Sequence, residues 1–497
     1  MKRIFILTVI LILTIFAVGC TNDDSSNELR FGLTTEPNTL DPLNPNNTAD
    51  GRSILFNVFE GLVKPDTDGN MQPCIAESWT IEQDGLVYNF TIKENIFFHD
   101  GSILTPADVM FSLKTAAAMN YIGLQAIQEV EITGGNIVSV KLAAPDFEFL
   151  PYMTVGIAKA DNKDREKNII GTGPFSIDRY RPQRSMVLKK FDKYWKEGLP
   201  HLNKITIVFF ENYDAMLLAL RGGSIDGAYV TGPMLDQLNR ANFDIFNNYS
   251  AAVQLLALNN AATPLDDIRV RQALIHGIDI HNIIETAFFG FGIPSGSPII
   301  PGFTSYYENQ SPYPYNPEAA RNLLMQAGFD ADNKFSLEIT VPSNYSMHED
   351  TAQVIVNQLS QIGVDASIKL VDWNTWLNDV YFGRQYQATI ISLDSPVVSP
   401  KSFLSRYHSN SENNFINFNS PEFDSIYDNI LTESNEEQRL QLYIDAQRSI
   451  AQNSASVFIQ DIFYFRAFRS ESGGYGGVLN YPLYIIDFAE IFRIENN

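Results

Sequence analysis

Between residues 335 and 371 the apolar positions change their spacing twice. Phe335, Leu337, Ile339 and Val341 alternate with polar residues, Ala352, Ile355, Leu359 and Ile362 recur at helical intervals, and Val364, Ala366, Ile368 and Leu370 alternate again. The pattern predicts strand, helix, strand. Gly363 supplies the helix stop, and a crossover helix of that length places its two strands parallel in one sheet. Just upstream, Asn316 and Pro317 open a helix that Gly328 closes, with Ala320, Leu323, Leu324 and Ala327 on one face. Another helix begins at Asp266 or Asp267 and buries Val270, Leu274 and Ile278. The stretch from about 263 to 465 therefore reads as an α/β unit whose aliphatic stripes are core.

The earlier part has a different rhythm. Tyr88, Phe90 and Ile92 alternate, and the β-rich runs 129–133 and 137–142 are joined by Gly134, Gly135 and Asn136, which predicts an antiparallel hairpin. Further strands are expected at 186–191 and 205–209, with a helix at 215–220. No internal repeat, coiled-coil heptad or low-complexity tract follows residue 27.

The first residues belong to another category. Lys2 and Arg3 precede an apolar run from Ile4 to Val18, shorter than the roughly 18 residues that cross a bilayer, and Gly19 and Cys20 follow. This is the layout of a secretory signal, so residues 1–19 are expected to be removed on export. Ala17, Val18, Gly19, Cys20 resembles the lipobox of bacterial lipoproteins, which implies a lipid on Cys20 as the mature N-terminus. The polar stretch 20–27 is then a flexible tether to the cell membrane.

Composition narrows the function. With 497 residues, 45% hydrophobic and 12% aromatic, and no second apolar run of membrane length, the chain can bury a large core in two or three domains. Loss of Lys2 and Arg3 with the signal leaves 33 basic against 58 acidic side chains, a net charge of −25. Such a balance excludes nucleic acid, whose binding rests on clustered Lys and Arg. With Cys20 acylated, Cys74 has no disulfide partner, and its neighbours Pro73, Ile75 and Ala76 mark it as a small buried hydrophobe rather than a nucleophile.

Catalytic and metal signatures do not assemble. There is no GxSxG elbow, HExxH or phosphate loop, and His276 and His281 lie five residues apart, more than about 100° apart around a helix. Asp66, Asp68, Asn70 and Glu77 have calcium-loop spacing, but Met71 stands where that loop needs glycine, so a tight turn at Gly69 is expected. Asp267, Arg269 and Arg271 are expected to form surface or interdomain ion pairs. No enzyme activity, metal or cofactor is anticipated.

A series of short motifs runs in order along nearly the whole mature chain. Leu40, Asp41, Pro42 is followed by Phe59 to Leu62 (FEGL), Ala76 to Trp79 (AESW), Phe98 to Gly101 (FHDG) and Leu104 to Val109 (LTPADV). Then come Gly171 to Phe175 (GTGPF), Tyr194, Trp195, the triplets Ile225 to Gly227 and Leu258 to Asn260, Asp267 to Ala273 (DIRVRQA), Asn316 to Phe329 and Gln358 to Val364. Each is weak alone; their order and spacing resemble the extracytoplasmic solute-binding proteins of oligopeptide, dipeptide and nickel ABC importers, bacterial family 5.

The resemblance implies an α/β, two-lobed periplasmic-binding-protein-like fold of type II, in the large cluster with an extra β-rich domain, and a ligand cleft between the lobes. Carried over, lobe I comprises residues 28–61, 171–262 and 468–497, the extra domain 62–170, and lobe II 263–467, with crossings near 262 and 468. It implies a monomeric, lipid-anchored or periplasmic protein that captures a short peptide and delivers it to the permease. Relatives that carry nickel, haem or an oligosaccharide, or that act as ligand receptors, use the same fold. A secreted hydrolase is the reading from another class.

Few site residues transfer. The loop after Pro42 corresponds to a cleft-lining segment that pairs with peptide main chain, which points to Asn46, Asn47 and Thr48. Asp372 and Trp373 resemble the acidic residue and tryptophan that begin a helix beside the pocket, and Tyr464 matches a pocket tyrosine. Peptide-binding members also carry an aspartate that holds the α-ammonium, ahead of a Pro and a Phe-Leu pair. Here Pro400, Phe403 and Leu404 are in place, but Pro396 occupies the aspartate's position, Leu393 replaces a tryptophan, and Asp394 lies two residues early. Asp394 is the carboxylate left to reach an ammonium if the loop is rebuilt.

Overall fold

The computed structural model describes residues 27–303, 305–308, 311–395, 397, 399–470, 474–479 and 485–494, with the backbone alone at 248–251. Cys20, the signal segment and Pro396 lie outside the described residues.

The strand–helix–strand pattern is realised as Ser336–Pro342, Ser346–Gln361 and Asp365–Val371, the strands parallel from Ser336 opposite Asp365 to Pro342 opposite Val371. Gly363 turns the chain at φ +90°, a backbone state a side chain would strain. Asn316 caps the helix Pro317–Gln326 by accepting from the Ala319 N–H, and Asp267 caps Ile268–Gly277. Their apolar faces meet in one cluster with Leu337, Ile339, Ile355 and Leu359, all fully or almost fully buried. Arg271 departs from expectation. Asp267 and Arg269 form a surface ion pair, but Arg271 is buried and donates to the carbonyls of Leu265, Asn453 and Ser454, three acceptors that a helix end and a turn leave open.

These strands are one flank of a mixed eleven-stranded sheet. Its order is 365–371, 336–342, 388–394, 243–258, 456–469, 227–231, 28–33, 204–209, 185–190, 175–181, with 292–294 paired to 456–469. The two long strands, Phe243–Leu258 and Ser456–Arg469, carry the chain from one flank to the other. Residues 243–249 pair with 463–469, of which 464–468 also pair with Gly227–Thr231, whereas 253–257 pair with 456–461 and 252–258 with Ala388–Asp394. The register slips between Tyr249 and Val253 and again between Gln254 and Leu255. Partners therefore change inside the strands, not at 262 and 468, because one continuous strand can hydrogen-bond to different neighbours along its length.

A second, four-stranded antiparallel sheet is formed by Ala76–Glu82, Val87–Ile92, Ile137–Leu142 and Ile127–Gly134, covered by the helix Pro106–Ala118. Thr105 and Asp108 close a capping box on that helix, which accounts for the LTPADV motif.

Buried Glu60 lies where this unit meets the rest of the chain. Its carboxylate accepts from Trp195 Nε1 at 2.9 Å, Tyr194 Oη at 2.8 Å and Thr172 Oγ1 at 3.0 Å, with the buried Cys74 thiol 3.5 Å away. Burial pushes the Glu60 carboxyl up and these donors pull it back. Gly171 and Gly173 let the chain pass this point, since a Cβ on either would stand 1.9 Å or 2.7 Å from the carbonyl oxygens of Val58 and Asn57. Asp41 is held bidentately by Arg165 at 2.8 Å. Glu60→Ala leaves three donors without their acceptor and is expected to cost roughly 3 kcal/mol or more, read as a lowered urea midpoint, with Glu60→Gln costing less.

Candidate functional site

A cavity of about 650 Å³ opens where the long strands change partners. One wall comes from the segments 33–35 and 47–52 with Tyr213 and Tyr229; the other from 345–348, Trp373, Trp376, Tyr381, residues 391–394 and Arg406; Ala252, Ile462 and Tyr464 form the floor.

On the first wall, Thr48 caps the helix Ala49–Phe56, accepting from the Gly51 N–H at 2.9 Å and donating to the Glu36 carbonyl at 3.2 Å. Asn47 Oδ1 accepts from the Asn38 and Thr48 amides, and Nδ2 donates to the Thr39 carbonyl. Gly51 must be small, because a Cβ there would stand 2.1 Å from Asn47 Oδ1. Asn47 and Thr48 face the cavity with much of their hydrogen-bonding capacity already committed to the loop. Asn46 lies outside the lining: it is exposed, and its N–H donates to Asn44 Oδ1 at 3.0 Å. Asn-rich turns satisfy themselves in this way.

On the second wall, Asp372 caps the turn that presents Trp373 by accepting from the Thr375 N–H. Trp373 stacks on Trp376 with centroids 5.1 Å apart and planes 8° apart, Tyr345 meets it edge-on at 5.7 Å, and Trp376 Nε1 donates to Thr389 Oγ1 at 2.9 Å. A π-helical turn, Trp376–Phe382, continues from there.

The charges are arranged across the gap. Asp394 is half-exposed and faces Arg52 at 3.7 Å, an ion pair that joins the two walls, while Arg406 Nη2 donates to the Asp394 carbonyl at 2.7 Å. Asp50, on the first turn of its helix, is pushed up by burial to about 6, against a hydrogen bond from Thr35 and the nearby Arg52. His348 is buried beside Gln254, whose Nε2 lies 3.1 Å from Nδ1, and burial lowers it to about 4, so it is neutral at pH 7. Gln254 in turn accepts from Gln460 across the long strands.

The cavity thus brings together Asn47, Thr48, Trp373, Asp394 and Tyr464. Sequence reasoning missed Asp50, Arg52, Tyr213, Tyr345, His348, Trp376 and Arg406. Trp376 could have been found one turn beyond Trp373; the others meet there only through folding. Stacked aromatics, two carboxylates and two guanidiniums suit recognition of a ligand with apolar and charged parts. Among the described residues no group of three or more His, Cys, Asp or Glu could hold a metal ion, and no helix is long and apolar enough to cross a membrane.

Comparison with known proteins places this geometry. The model of bacterial extracellular solute-binding proteins, family 5 middle, matches residues 70–415. The glutathione-binding protein GsiB of Escherichia coli O1:K1 is 28% identical over 351 residues, 67% of either chain. NikZ from Campylobacter jejuni, solved in complex with Ni(L-His), superposes with a TM-score of 0.79 at 22% identity, covering 94% of this chain and 99% of its own. The oligopeptide-binding protein AppA from Bacillus subtilis, solved with a nonapeptide, gives 0.77 at 22% identity over 94% and 99%. The two superpositions speak for the shared two-lobed fold.

The depressed histidines set a pH dependence. His348 and His99, the latter against the Gly173 carbonyl at 3.0 Å, both sit near 4, so the folded chain refuses protons that the unfolded chain accepts at its ordinary 6.5. Their contribution is complete above pH 6.5 and is lost as the pH falls toward 4, by about 1.4 kcal/mol per pH unit for each at most. Asp50, raised above 3.8, works with the opposite sign between 3.8 and 6. His348→Gln is expected to remove about one proton from the uptake on unfolding in the 6.5-to-4 window, measured from urea midpoints against pH.

Proposed function

Because the chain belongs to family 5 of the bacterial extracellular solute-binding proteins, we propose that it captures a short peptide between its two halves and delivers it to a membrane permease. Members of this family are substrate-binding components of ABC importers that act outside the cytoplasm; they bind and transport rather than catalyse. The observation that carries the reading is the 650 Å³ cavity whose two walls belong to opposite flanks of one sheet, with stacked aromatics and charges facing each other. A peptide gains affinity there from its backbone, and hydrated space tolerates different side chains.

Closure follows from the same arrangement. A ligand touching both walls favours the closed form and shifts the population toward it. Residues 28–61, 171–262 and 468–497 would form lobe I, 62–170 the extra domain and 263–467 lobe II, with the bending points drawn into the long strands near 250–252 and 461–463, where the register slips. A lipid on Cys20 would hold the monomer at the membrane.

A second contact joins the two halves at a distance from the cavity. The loop 145–148 of the extra domain reaches the helices at 400–404, 421–432 and 436–452. Asp146 pairs with Lys401, Glu148 accepts from Arg439 Nε at 2.7 Å and Tyr443 Oη at 2.9 Å, and the Phe147 N–H donates to the Leu431 carbonyl at 2.9 Å. On this reading the contact parts when the halves open, so Arg439→Ala, which leaves Glu148 without its cation, is expected to weaken ligand binding roughly tenfold while enlarging the radius of gyration in solution scattering. An unchanged radius with unchanged affinity would count against this closure.

The cargo itself is the direct test. Protein purified from its host should release peptides of a few residues on denaturation, identified by mass spectrometry. Recovery of sugar, metal chelate or haem alone would overturn the peptide reading.

A further inference from the structure

We propose that Asp50 holds a positively charged amine of the cargo, so that the cationic end of the ligand is anchored on the first wall of the cavity and not at Asp394. The inference rests on the binding reading above and specifies what the cavity selects.

Three observations carry it. First, Asp394, the carboxylate the sequence offers for this role, already faces Arg52 at 3.7 Å, and its own carbonyl is occupied by Arg406. Second, Arg52 is turned toward that partner and its Nη1 donates to the Asn47 carbonyl at 2.9 Å, so Asp50 keeps no ion pair of its own among the described residues. Third, Asp50 lines the cavity among aromatic rings: Tyr213 and Tyr464 lie within its electrostatic reach, as does Tyr229 behind them.

The physical consequence is an unbalanced site. A half-buried carboxylate loses hydration and has nothing but the Thr35 hydrogen bond and a diverted arginine to replace it. A ligand ammonium entering the cavity restores the balance in a medium where a charge pair is worth more than in water, and the lining Tyr213, Tyr229 and Tyr464 supply aromatic surface beside it. Arg406 lies on the opposite wall, and its Nε is buried without a hydrogen-bond partner among the described residues, so a second positive ligand group is disfavoured there. The chemistry of this wall recognises a primary or quaternary amine; a peptide α-ammonium is one source, and a free polyamine or betaine another.

Full-length protein, stripped of cargo by unfolding and refolding, is offered three probes at pH 7.5: mixed tripeptides with free N-termini, the same tripeptides N-acetylated, and a mixture of spermidine and glycine betaine. Retention is read by mass spectrometry and melting temperature. The expected result is retention of the free tripeptides at least tenfold over the acetylated ones, with Asp50→Asn erasing that difference while the empty variant melts at the same temperature as the parent or higher. Asp50→Glu, which keeps the charge, should keep the discrimination, and this guards against misfolding of the first variant. Wild-type affinity for free tripeptides should also fall as the pH drops through about 6. Equal retention of free tripeptides by wild type and Asp50→Asn overturns the inference and leaves the peptide reading standing. Retention of the amines alone, lost in Asp50→Asn, removes the peptide reading and upholds the inference. Equal retention of free and acetylated tripeptides, or of no probe at all, overturns it.

Discussion

Two strands belong to both halves of this molecule. Phe243–Leu258 and Ser456–Arg469 pair with each other along most of their length, but their outer partners are Gly227–Thr231 at one end and Ala388–Asp394 at the other. Everything on either flank is suspended from this pair. The ladder between them is irregular between Tyr249 and Val253 and again between Gln254 and Leu255, where fewer regular backbone hydrogen bonds resist bending. The cavity lies at that point, with Ala252, Ile462 and Tyr464 on its floor.

A buried carboxylate organises one side of the molecule. Glu60 gathers Trp195, Tyr194 and Thr172 from segments distant in the chain, and Gly171 and Gly173 admit the backbone closely enough for that to happen. The buried carboxylate holds these segments together, because separating them would leave a buried acceptor and its donors unpaired, and the Cys74 thiol 3.5 Å away brings the β-rich unit against the same point. Several motifs along the chain are thus parts of one structural device. They say which family the chain belongs to and little about what it carries.

The cavity holds a small set of charges. The Arg52–Asp394 pair bridges the walls, and at 3.7 Å with one half-exposed partner it is a weak bridge that a ligand can exchange for contacts of its own. Aromatic stacking around Trp373 and Trp376 gives the second wall a fixed shape, whereas the first wall owes its shape to a loop whose amides bond to one another. Rigid walls lower the ordering cost of binding.

The local periodicities of the sequence determined the elements. The parallel pair around Ser346–Gln361, the hairpin at Gly134 and Gly135, the caps at Asn316 and Asp267 and the turn at Gly69 depend on neighbouring residues, and each was legible from spacing and turn chemistry. The motif order carried the fold class, and through it Asn47, Thr48, Trp373, Asp394 and Tyr464 as cavity residues. Other matters were decided by tertiary structure alone. That Asn46 turns away, that Arg271 serves carbonyls instead of a carboxylate, that the long strands change partners internally, and that Arg52 stands opposite Asp394 all depend on groups far apart in sequence. So does the state of Asp50, whose charge balance is set by burial among tyrosines contributed by other strands and helices. Propensity acts over a few residues, but desolvation and pairing act through space, and only the folded chain defines those distances.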